Sequence, residues 1–89
     1  MESDRTCKRC SVTRVNALVR AYEKCHLGRD EAALPKLRQI AQLVKGRGFD
    51  GGAALLTPGL NDRALRDVCW NVSSFLNDEE VQNILGLAC

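Results

Sequence analysis

Apolar residues recur at steps of three and four along most of this chain. Nowhere do they alternate with a period of two over the length of a strand. A period near 3.6 is helical, so the pattern predicts an all-α fold. Val12, Val15, Val19, Tyr22 and His26 form the stripe of a first helix over residues 12–26, with Ser11 as N-cap and Gly28 as stop. Leu34, Leu37, Ile40, Ala41 and Val44 mark a second helix over 31–45. Asp30 is its expected N-cap, and Pro35 falls near the first turn, where proline does least harm; the alternative is that it delays the true start to Leu34. Leu65, Val68, Cys69, Val72, Phe75 and Leu76 share an arc of a third helix over 61–76. A fourth starts at Asn77, where Asn77-Asp78-Glu79-Glu80 has the form of a capping box. Its apolar side is Val81, Ile84, Leu85 and Ala88.

Between the second and third helices lie four glycines in the seven residues 46–52. This is the one clear loop in the pattern, followed by a short helical turn over 53–56 and a turn at Thr57-Pro58-Gly59. The expected architecture is a single domain over 11–89, a small bundle of four to five short helices, preceded by a mobile basic segment over 1–10. With 89 residues and only four aromatics, the core must be small and aliphatic. Apolar residues spread over several helix faces therefore predict a homo-oligomer.

No apolar run approaches the roughly 20 residues of a membrane span, so no membrane association is expected. The first residues carry Glu2, Asp4, Arg5, Lys8 and Arg9 and lack the apolar stretch of a signal peptide. Together with an odd count of five cysteines, this predicts an intracellular protein, cytoplasmic or nuclear, with reduced thiols.

Charge is unevenly placed. Residues 1–48 contain eleven Lys/Arg against five Asp/Glu, and residues 49–89 contain two against six. The two halves face each other within the fold, or the first half meets an anionic partner, or the two halves associate head to tail between copies. Lys8, Arg9, Arg14, Arg20, Lys24, Arg38, Lys45 and Arg47 are the candidates for a nucleic-acid surface. Such a surface would read phosphates rather than bases, since no aromatics are interleaved with the cations. Lys45 and Gly46-Arg47-Gly48 have the composition of an anion-binding turn but not the phosphate-loop motif, and a helix C-cap explains them as well.

Cys7 and Cys10, with Cys25 and His26, spell C-x2-C-x14-C-H, which brings zinc into view as a cofactor. Cys25 and His26 are adjacent, so a helix turns them about 100° apart. A full tetrahedron would then draw a ligand from Cys69 or Cys89. Alternatively, Cys25 and Cys69 are small core residues. A single histidine without a placed nucleophile gives no support to catalysis, and no enzymatic function is expected.

Trp70, the lone tryptophan, lies about 140° from Leu65 on the third helix, among Arg63, Arg66, Asp67 and Ser74. Tryptophan and arginine dominate binding hot spots, and arginine stacks on indole. The competing reading is a helix buried on two sides. The run from Leu65 to Leu76 resembles the last long helix of an armadillo repeat of the importin-α kind. That resemblance implies a tryptophan facing a peptide-binding groove, with Ser74 where the family has its asparagine. The function expected from the sequence is a non-enzymatic protein–protein interaction module or small regulator with its contact surface at Trp70, Arg63 and Arg66. The alternatives are a nucleic-acid binder and a zinc-stabilised module.

Overall fold

The computed structural model describes residues 11–28 and 30–86. Among them every regular element is helical: α1 (Ser11–His26), α2 (Ala33–Gly46), a 3-10 helix (Asp50–Leu56), α3 (Asp62–Ser73) and α4 (Asp78–Leu85). α1 is the hub and packs against α2, α3 and α4, while the 3-10 helix lies on both α2 and α3 and bridges them. Leu18, Leu37, Ile40, Val44, Leu55, Val72 and Val81 are fully buried where these elements meet. Tyr22 is the only aromatic in this core.

Tyr22 also ties the two halves of the chain together. Its hydroxyl donates to the Thr57 carbonyl at 2.7 Å and accepts from the Leu60 amide at 3.1 Å. Both backbone groups belong to the turn between the 3-10 helix and α3, so one side chain fixes where α3 begins. At the other end of α1, Arg14 pairs with Asp78 at the start of α4. The start of α3 thus lies near the C-terminal half of α1, and its end leads to the N-terminal half. The two helices run antiparallel.

Several helix limits differ from the sequence pattern for local reasons. α2 begins at Ala33 rather than residue 31, because Asp30 does not act as an N-cap. Its Oδ1 accepts from the Ala32 amide two residues on, at 3.0 Å, and holds a turn before the helix. α3 begins where expected, with Asn61 accepting from the Ala64 amide at 2.7 Å, but it ends at Ser73. The Ser73 and Ser74 hydroxyls donate to the carbonyls of Trp70 and Asn71, so the last turn is closed by side chains. Phe75 leaves the helix and stacks on Phe49, with ring centroids 5.4 Å apart and planes 13° from parallel. The capping box of α4 is complete: Asn77 accepts from the Glu80 amide, and Glu80 accepts from the Asn77 amide.

The glycine-rich stretch is largely ordered structure rather than a loop. Gly46 is the last residue of α2, and Gly48 takes a left-handed φ of 103° that turns the chain. Gly51 and Gly52 already belong to the 3-10 helix. Gly52 is buried, and a Cβ there would sit 3.0 Å from the Ala41 Cα and 2.9 Å from the Val44 Cγ2. Glycine is needed at 52 because two backbones approach closely.

Candidate functional site

Asn61 and Asp62 start α3, and the apolar positions Leu65, Cys69 and Val72 turn one face of it into the core. The opposite face carries Arg63, Arg66, Asp67, Trp70 and Ser74, all exposed. Trp70 keeps 53% of its surface open. Of the two readings of this residue, a second buried face is therefore excluded within the single chain. Arg66 and Asp67 precede Trp70 by four and three residues and Ser74 follows by four, so they adjoin the ring along one helix face. Val12, in the first turn of α1, is also 53% exposed, and the antiparallel packing puts its turn at the same end of the molecule.

The structure redistributes the predicted basic surface. Arg47 is committed to an internal joint. It donates to both carboxylate oxygens of Glu80 and, at 2.6 Å, to the Phe75 carbonyl. The bond to Glu80 holds the guanidinium above its ordinary pKa, and the bonds from Arg47 and the Asn77 amide hold the Glu80 carboxyl below its own. Arg14, paired with Asp78, is likewise engaged. In both cases a cation of the first half meets an acid of the second, so the charge asymmetry is partly neutralised within the fold. Arg20 and Lys24 flank a cavity between α1, the start of α2 and the end of α4. Arg38 and Lys45 line another, between α2 and the 3-10 helix. The two pairs line different cavities. Lys8 and Arg9 lie outside the described residues.

Cys7, Cys10 and Cys89 also lie outside the described residues. Cys25 and His26 are closer than their helical offset predicts, with Sγ and Nδ1 3.9 Å apart. His26 packs on the Tyr22 ring at 4.5 Å, and its Nε2 lies 2.9 Å from the Leu55 carbonyl oxygen. A carbonyl only accepts, so Nε2 donates to it. His26 thus fastens the end of α1 to the 3-10 helix. Among the described residues no three His, Cys, Asp or Glu side chains are placed to hold a metal. Cys69 is fully buried on the core face of α3, and burial pushes its thiol up to about 12. It remains a thiol at neutral pH in the metal-free protein.

Sequence reasoning missed Lys36, which joins Arg20 and Lys24 around their cavity. Its position at the edge of the α2 apolar face was a usable signal, since edge cations border the junction with the next helix. No helix among the described residues is long and apolar enough to cross a membrane. No protein family matches this chain, and neither a curated protein nor a solved structure resembles it significantly. The armadillo-like run accordingly stays a local likeness, and Trp70 lines neither cavity.

Proposed function

We propose that this chain is a non-enzymatic protein–protein interaction module whose contact surface is the outer face of α3, and that the partner this face suits best is a second copy of the chain. The observation that carries the reading is the half-exposed Trp70 ring, set between charged residues on a helix whose core face is already satisfied. Indole is the side chain that gains most from entering a desolvated pocket. The surrounding charges favour self-association. A two-fold interface must be self-complementary, and this face carries both signs: Arg66 flanks the ring on one side, and Arg63 and Asp67, one turn apart, flank it on the other. Two such faces brought together antiparallel can oppose Arg66 to Asp67 around a pair of rings. A nucleic-acid role draws less support, because two of the predicted cations are spent internally and four others divide between two cavities.

Sedimentation velocity of the wild type and of Trp70→Ala tests this. The wild type is expected to show a concentration-dependent dimer that the variant loses, with far-UV circular dichroism unchanged. A wild type that stays monomeric at high concentration and captures no defined protein partner through Trp70 contradicts the proposal.

A further inference from the structure

We propose that the cavity between α1, the start of α2 and the end of α4 is a binding site for a phosphoryl-sized anion, with Arg20, Lys24 and Lys36 as its ligands. Ala17, Arg20, Ala21 and Lys24 follow one another at helical spacing along one stripe of α1 and all line it. Ala33 and Lys36 line it from the first turn of α2. The alanines leave a depression and the three long cations stand at its edge. Elsewhere in the fold, Arg14 and Arg47 have acidic partners from another helix. Here three cations share one concavity with a single carboxylate, Asp30, whose Oδ1 already accepts from the Ala32 amide. Gathering like charges costs Coulomb energy that an anion would offset. The N-terminal turn of α2 and the C-terminal turn of α4 both border the cavity, so their dipoles oppose each other and the side-chain charges carry the attraction.

Size decides which anion. The cavity volume is about 190 Å³, below the roughly 300 Å³ at which pockets for drug-sized ligands begin. It fits an inorganic phosphate or the phosphoryl group of a small phosphomonoester, the rest of which would lie outside. Arginine gives a fork of donors to such an oxyanion, and the two lysines supply point charges.

The test is a titration of uniformly labelled protein with orthophosphate and, separately, with glycerol 3-phosphate, followed by amide chemical shifts at constant ionic strength. Shifts are expected to centre on Ala17, Ala21, Ala33 and Gly86. Equal affinity for both probes identifies a site for the free anion, and tighter binding of the ester identifies a site for the phosphoryl group of a larger molecule. Lys36→Glu is expected to weaken binding at least tenfold. Lys45→Glu, the same change of charge on the other side of α2, is expected to alter it less than twofold. Asp30→Asn keeps the bond to the Ala32 amide, removes one negative charge and is expected to tighten binding. The proposal is overturned if neither probe binds, if shifts scatter over all the cations, or if Lys36→Glu and Lys45→Glu weaken binding equally.

Discussion

Replacing Gly52 by alanine tests whether the glycine-rich stretch is a packed element or a flexible connection. The added Cβ would lie 2.9 Å from the Val44 Cγ2 and 3.0 Å from the Ala41 Cα. Both neighbours are buried, Val44 fully so, and the second contact is to backbone. Neither can swing away as the end of a surface side chain could. The 3-10 helix must therefore move off α2, an overpacking cost of about 1–3 kcal/mol. Gly52 has no left-handed φ, so the effect is purely steric. Gly46, six residues earlier, has nothing within 4 Å of its Cβ position and ends α2 without a positive φ. Gly46→Ala should be neutral, or stabilise by up to about 1 kcal/mol through the unfolded chain. At roughly 4–8 °C per kcal/mol for a domain of this size, Gly52→Ala should lower the melting temperature by about 4–24 °C, and Gly46→Ala should leave it level or raise it. Thermal melts followed at 222 nm read both. Equal, small shifts in the two variants would show that residues 50–56 do not pack on α2 and would refute the account of this segment.

Tyr22→Phe should cost about 1–3 kcal/mol in urea unfolding, because it strands the Thr57 carbonyl and the Leu60 amide; an unchanged midpoint would show that water replaces the hydroxyl freely. The Glu80 carboxyl is lowered by its bonds from Arg47 and from the Asn77 amide. Its folded value lies below the unfolded value of about 4.3, so its stabilisation is complete above that pH and is lost as the pH falls through the folded value. Glu80→Gln should flatten the acid limb of a stability–pH curve, and an acid limb identical to that of the wild type would count against the Arg47–Glu80 joint. Cys69, with its thiol raised to about 12, should resist alkylation at neutral pH in the native state and react on unfolding; peptide mapping that finds it labelled in folded protein would contradict its burial.

What the sequence made legible follows the range of the interactions. The capping box at Asn77 and Glu80 is local, and it was readable from four consecutive residues. The angular position of Trp70 is also local, and a helical wheel alone placed it away from the core. The start of α2 was misread because Asp30 has two local uses, capping and turning, that differ by which amide it reaches. The end of α3 was misread because Phe75 continues the apolar period. Its partner Phe49, 26 residues earlier, is what draws it out of the helix. Gly52 and Arg47 have the same explanation. Their roles come from Ala41 and Val44 in one case and from Glu80 and Phe75 in the other, and composition alone made both look like parts of an open loop. The basic residues show the consequence for function. Of the eight cations read as one surface, the six among the described residues divide into two ion pairs with the second half of the chain and the linings of two cavities, with Lys36 added at one of them.

Because Trp70 is the only tryptophan, its fluorescence reports on the proposed contact surface without labelling. The most direct measurement is the emission maximum and acrylamide quenching of the wild type across a dilution series. In dilute protein the account predicts the red-shifted, readily quenched emission of an open indole. As concentration rises through the range where sedimentation shows dimer, it predicts a blue shift and loss of quenching. Emission that is already blue-shifted and protected in the monomer would place Trp70 in the core. Emission that stays red and quenchable when dimer is present would place the interface elsewhere, and either result contradicts the assignment of the α3 outer face.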